Sequence, residues 1–159
     1  FYDSAAGKDM ALTQYQNGAD VGFNVAGSAG LGQIEAAVDA KRYAFGVDSD
    51  QAAVLPDYAA NIPTSALKNV GNSLVRAIKE DMEGNLAYGT LEYLGLADGG
   101  VELVEDEHYE ETVPEEIRTK VEELKQDIID GKITVPTTLG DDAMSPDDVQ
   151  ALIDSAKLS

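Results

Sequence analysis

Cysteine is absent from the 159 residues, tryptophan is absent too, and histidine occurs once, at position 108. Without cysteine there is no disulfide framework, thiol nucleophile, zinc finger or cysteine-held iron–sulfur cluster. A lone His108 gives a histidine-based triad or a multi-histidine metal site little to build on. Basic residues are scarce: 11 Lys and Arg stand against 30 Asp and Glu, a net charge of −19. Such a chain repels phosphate backbones, so nucleic-acid binding through a basic footprint is excluded as the default, and anionic membranes are disfavoured. Long apolar runs are missing as well; none approaches the ~18 residues of a membrane span, and no signal peptide is visible. The first residue is Phe1 rather than Met, so removal of an upstream segment is expected.

What remains is a globular composition, 43% apolar with 15 glycines, at about one domain's length. The acid is uneven. Residues 1–97 carry 12 acidic and 6 basic side chains, whereas residues 98–159 carry 18 and 5, with a turn signal at Asp98-Gly99-Gly100 between them.

In the first part, helix-like and strand-like stretches alternate. Asp9 to Asn17 reads as a helix with Met10, Leu12 and Tyr15 as buried positions, stopped by Gly18. Val21 to Ala26 is of strand length. Leu31 to Ala40 has helical period, Tyr43 to Val47 is a second strand, and Asp48 to Pro63 reads as a polar loop. A long helix is expected from about Thr64 to Glu83, striped by Leu67, Val70, Leu74, Ile78 and Met82, and another strand from Leu91 to Leu96. Strands separated by helices imply α/β architecture with a parallel sheet. Further on, Thr112-x-x-Glu115 reads as a capping box, and Ile117, Val121, Leu124 and Ile128 share one helical face. Gly131 stops that helix, Ile133 to Val135 is a possible short strand, and Ser145-Pro146 opens a last helix.

Four places carry chemistry. Gly18 to Gly32 runs from a strand through a glycine-rich turn into a helix, where ligands of open α/β sheets meet backbone N–H groups; the glycines are equally consistent with tight helix–strand packing. Asp48 follows an apolar strand, where a carboxylate can accept both hydroxyls of a vicinal diol; it also reads as a turn residue. The order Gly27-x-x-Gly30-x-Gly32 reverses the dinucleotide fingerprint, and the Asp48 loop lacks the glycine and glutamate of an EF-hand. Lys68, placed in the first turn of a helix, opposes the helix dipole and lies off the apolar stripe, pointing either to an anionic or hydroxyl partner or to plain solvation. Phe23 lies near the exit of a buried strand, either in the core or stacked on a planar base, with Asn24 on the opposite face. His108, inside the acidic run from Glu105 to Glu111, is expected in a solvated loop.

Taken together, Gly18-Ala19-Asp20-Val21 through Gly32, Tyr43 through Asp50-Gln51 and Thr64 through Val70 resemble the basic membrane protein family of ABC-transporter substrate-binding lipoproteins. This is the purine nucleoside receptor group, with the periplasmic-binding-protein type I fold. Gly99 to Leu103, Pro114 to Ile117 and Gly131 to Pro136 fit it too. The resemblance implies a two-lobed protein closing on a nucleoside, of which residues 1–136 correspond to the C-terminal lobe. The N-terminal lobe, the lipidated cysteine and the lobe's first strand are then absent, and the helix from Thr64 to Glu83 would pack on the absent lobe. Residues 137–159, with Asp141 and Asp142, form an acidic extension containing a short helix and have no counterpart. The resemblance further implies that Phe23 stacks on the base, that the backbone at Ala26 and Gly27 lines the ribose side, that Asp48 holds ribose hydroxyls, and that Lys68 joins the same polar cluster. It implies an extracytoplasmic, membrane-anchored lipoprotein in the full-length form, partnered by an ABC permease, without cofactor, metal or catalytic residue. Two alternatives stand beside it: a nucleotide-dependent α/β enzyme drawing on Asp48, Asp50 and Lys68, and a sugar- or nucleoside-sensing domain of similar fold.

Overall fold

A computed structural model describes residues 2–138 and 143–156, so Phe1, Asp141 and Asp142 lie outside the described residues. The chain forms two compact units that divide between Val121 and Glu122.

The first unit is built on a four-stranded sheet in the order β1 (Val21–Phe23), β2 (Tyr43–Asp48), β3 (Ser65–Lys68), β4 (Val101–Leu103). The first three strands are parallel and β4 joins β3 antiparallel. Before β1 lies α1 (Ser4–Gln16); α2 (Gly30–Ala40) connects β1 to β2 after a 3-10 turn at Gly27–Ala29. The Asp3 carboxylate accepts the Ala6 N–H at 3.0 Å and starts α1 earlier than its apolar pattern suggests. Gly18, at φ +100°, lets the chain leave it. α1 and α2 pack closely because they carry glycine where they meet: a Cβ on Gly32 would lie 1.9 Å from the Ser4 carbonyl oxygen.

The core sits on one face of the sheet. Along β2, Ala44 and Gly46 point into it while Phe45 points away, the period-2 alternation of a strand. Ala44 joins Ala11, Tyr15, Ile34, Ala37 and Ile62 there, and Leu12, Leu55 and Tyr58 pack around them. Tyr15 donates its hydroxyl to the Tyr43 carbonyl at 2.9 Å, which ties α1 to β2. Met10, expected inside, is 68% exposed; one residue before Ala11, it points about 100° around the helix from the buried Ala11–Tyr15 face.

Several expected elements differ. The stretch from Thr64 to Glu83 is not one helix: Ser65–Lys68 is β3, and α4 (Val70–Met82) starts only after Asn69. Pairing on both sides, Ala66 with Val47 of β2 and with Leu103 of β4, outweighs the helical spacing of Leu67. The expected loop after Asp48 contains α3 (Gln51–Val54) and a 3-10 turn at Pro56–Asn61. Leu91 to Leu96 and Ile133 to Val135 are not strands. The acidic run holds α5 (Glu107–Thr112), capped by Asp106 on the Tyr109 N–H at 2.9 Å. Thr112 therefore ends a helix rather than capping the next one, α6 (Glu115–Ile129).

In the second unit α6 stops as glycine dictates: Gly131 takes φ +71° and Lys132 N–H reaches back to the Asp127 carbonyl at 2.9 Å. Lys132 also pairs with Asp127 and Asp130 at 2.9 and 3.0 Å. α7 (Pro146–Ala156) opens with a reciprocal cap, in which Ser145 Oγ accepts the Asp148 N–H and the Asp148 carboxylate accepts the Ser145 N–H. Among the described residues, no helix is long and apolar enough to cross a membrane.

Candidate functional site at the carboxyl edge of the sheet

Because β1, β2 and β3 run parallel, their carboxyl ends share one edge of the sheet. Phe23, Asp48 and Lys68 are the last residues of these three strands. In open α/β sheets this edge is where ligands bind.

Asp48 and Lys68 meet. Lys68 Nζ lies 2.9 Å from Asp48 Oδ1, and both side chains stay more than half exposed, at 60% and 56%. The strand register explains the meeting: Asp48 lies opposite Leu67, one residue short of Lys68. At that exposure the pair contributes only ~0–1 kcal/mol to stability. Its value is chemical, a carboxylate and an ammonium presented together to solvent, able to accept from and donate to adjacent hydroxyls. Lys68 is thus at a strand end and not in a first helical turn, so its conflict with a helix dipole disappears. Asp48 has φ +70°, a left-handed conformation that aspartate tolerates better than most residues.

Phe23 is 56% exposed, and its ring stands edge-to-face on Phe45 at 6.4 Å and 65°. It borders two depressions. One, about 340 Å³, opens on the sheet face away from α2 and is walled by apolar side chains including Phe45, Ala66, Leu103 and Ile117. The other, about 410 Å³, lies by the amino ends of α1 and α2 and includes Ala26. The structure therefore joins Phe23 with Ala26, and Asp48 with Lys68. Neither depression is lined by Asp48, Lys68 or Gly27. Register places Asp48 three residues beyond the partner of Phe23, about 10 Å further along the strand direction.

The glycine-rich stretch divides its roles. Gly27 takes φ +58°, a backbone role, whereas Gly30 makes room for Asn24, whose Oδ1 would lie 1.8 Å from a Cβ there. Asn24 is 9% exposed, on the buried side opposite Phe23.

His108 is not in a solvated loop. On α5, its Nε2–H donates to the carbonyls of Ala59 and Ile62 at 3.0 and 3.1 Å, and Nδ1 accepts from Thr112 at 3.4 Å. Carbonyls only accept, which fixes the proton on Nε2. Among the described residues no three His, Asp or Glu side chains gather in a metal-binding group. Gln51 and Ser65, on either side of the Asp48 turn, were not legible as site residues; only their nearness to the end of an apolar strand could have flagged them.

A family model described as ABC transporter substrate-binding protein PnrA-like matches residues 1–138. Basic membrane protein D of Borreliella burgdorferi (strain JD1) is 35% identical over 139 residues, covering 86% of this chain and 40% of the relative. The ABC transporter nucleoside-binding protein BmpA of Lactococcus lactis subsp. cremoris is 33% identical over 152 residues, covering 86% and 42%. Among solved structures, an ABC transporter system solute-binding protein from Aeropyrum pernix K1 superposes with a TM-score of 0.76 at 26% identity, over 96% of this chain and 48% of that one. The chain spans about two fifths of the length of these curated relatives.

Proposed function

The chain belongs to the Bmp family of PnrA-like ABC transporter substrate-binding proteins, and on that premise we propose that it forms part of a receptor capturing purine nucleosides outside the cytoplasmic membrane for an ABC importer. The observation that carries the reading is the exposed Asp48–Lys68 pair at the carboxyl edge of the sheet. A ribose offers two adjacent hydroxyls, and this pair offers an acceptor and a donor at matching range. Phe23, half exposed at the end of the neighbouring strand, supplies a stacking face for a base, and the backbone at Ala26 and Gly27 supports the ribose side. The named nucleoside-binding relative supports the ligand class.

The reading includes a second lobe. α4 presents Leu74, Ile78 and Met82 at 61%, 60% and 82% exposure, an apolar stripe with the area to dock against it. Membrane attachment as a lipoprotein and delivery to a permease belong to the same proposal. An enzymatic alternative is less well supported. Of its three candidates, Asp48 and Lys68 neutralise each other, and Asp50 is engaged by the Ala53 N–H at 3.1 Å as the cap of α3.

Titration calorimetry of the full-length protein with inosine, guanosine and adenosine tests the reading. Tight binding of at least one purine nucleoside, with no nucleobase released, is the expected result; steady hydrolysis or reduction would favour the enzyme instead.

A further inference from the structure

We propose that Gln51 and Ser65 are positioning residues, a latch that holds Asp48 in its left-handed conformation beside Lys68. β2 must end at Asp48 and turn into α3 across only Ser49 and Asp50. Three polar ties hold that turn. The Gln51 side-chain carbonyl accepts the Val47 N–H at 3.1 Å, from the residue just before Asp48. The Gln51 N–H donates to Ser65 Oγ at 3.1 Å, which anchors the far side of the turn to the next strand. The Asp50 carboxylate caps Ala53.

Ser65 is fully buried, so its hydroxyl cannot turn to water instead. Gly46 makes space for the latch: a Cβ there would lie 2.0 Å from Ser65 Oγ and 3.0 Å from the Gln51 Cβ. Gly46 is also the register partner of Ser65, and that register puts Asp48 beside Leu67 and within reach of Lys68. The same buried tie therefore sets both the backbone at Asp48 and the alignment of the strand that carries its partner. Without the Gln51 and Ser65 ties, the turn keeps only the Asp50 cap and the strand pairing, and the left-handed conformation of Asp48, unfavourable for an L-residue, is free to relax.

The ligand half of this inference rests on the nucleoside reading, so the test has two arms. The variants are Gln51→Leu, which removes the accepting oxygen at similar volume, Gln51→Glu, which keeps it, and Ser65→Ala as a second removal should Gln51→Leu fail to fold. In the first arm, NMR backbone shifts of Asp48 in the full-length protein report its left-handed conformation. Gln51→Leu and Ser65→Ala are expected to abolish that signature, and Gln51→Glu to retain it. In the second arm, calorimetry on the full-length protein compares inosine with hypoxanthine. Inosine is expected to weaken about tenfold in Gln51→Leu, the scale of one hydrogen bond to a charged group, with hypoxanthine unchanged and Gln51→Glu restoring inosine. Unmoved Asp48 shifts, or equal weakening of nucleoside and base, would overturn the latch. A parent protein that ignores inosine would overturn the nucleoside reading alone, and the Asp48 shifts would then decide the latch by themselves.

Discussion

Asparagine at position 48 separates a ribose clamp from a structural turn residue. The substitution keeps size and shape, and asparagine accepts the left-handed φ of +70° as readily as aspartate, so the backbone has no reason to move. What changes is charge. In the folded protein the loss of the ion pair to Lys68 costs little, ~0–1 kcal/mol, because both partners are more than half exposed. In a nucleoside complex the loss is larger, since hydrogen bonds to a charged group contribute ~1.5–3 kcal/mol. Asp48→Asn is therefore expected to weaken inosine about ten- to a hundredfold while moving the melting temperature by no more than a few degrees. Hypoxanthine, which has no ribose, should bind the variant as it binds the parent. Calorimetry of the full-length protein with both ligands, beside a thermal melt, reads all three quantities. Equal weakening of base and nucleoside, or a large drop in melting temperature with unchanged inosine affinity, would refute the clamp and return Asp48 to the role of a turn aspartate.

Phe23→Ala in the full-length protein should weaken purine nucleosides by ~1–3 kcal/mol of lost stacking and leave the melting temperature nearly unchanged, because the ring is 56% exposed. Ile34→Ala, at a fully buried position, should do the reverse and cost ~2–5 kcal/mol of stability in a denaturant titration. Burial holds the Tyr15 phenol above its ordinary pKa, so the folded chain keeps a proton that the unfolded chain releases above about pH 10. Stability should accordingly be level below that pH and fall as pH rises through it. Tyr15→Phe should lose ~1 kcal/mol at neutral pH with its bond to the Tyr43 carbonyl and show a shallower alkaline slope in urea titrations. The 159-residue chain by itself should bind inosine far more weakly than the full-length protein; sub-micromolar binding by the chain alone would count against a ligand held between two lobes.

The helical period from Leu31 to Ala40 and the apolar run from Tyr43 to Val47 are legible because each element's own side chains carry its burial pattern. The strands at Val21 and Tyr43 follow directly, but their ends do not: β1 stops at Phe23, three residues short of the apolar run to Ala26, and β2 runs one residue past Val47 to Asp48. β3 is different. Leu67 sits at helical spacing from Val70 and Leu74, so local pattern extends α4 backwards through it; only pairing with β2, 19 residues earlier, and with β4, 33 to 37 residues later, makes Ser65–Lys68 a strand. Leu91 to Leu96 shows the converse, apolar residues of strand length with nothing to pair them. Lys68 would be odd in the first turn of a helix, but it is ordinary at a strand end beside a carboxylate. The supports of the site are the least legible part. Gln51 and Ser65 are common polar residues 14 positions apart, and each acts on backbone rather than on ligand. Neither residue type announces such a tie; the one local trace is Gly46, whose missing side chain is explained only when Ser65 is placed against it. The place of a strand is thus readable from periodicity, whereas its last residue and the hydrogen bonds that aim that residue's side chain belong to the register of the sheet.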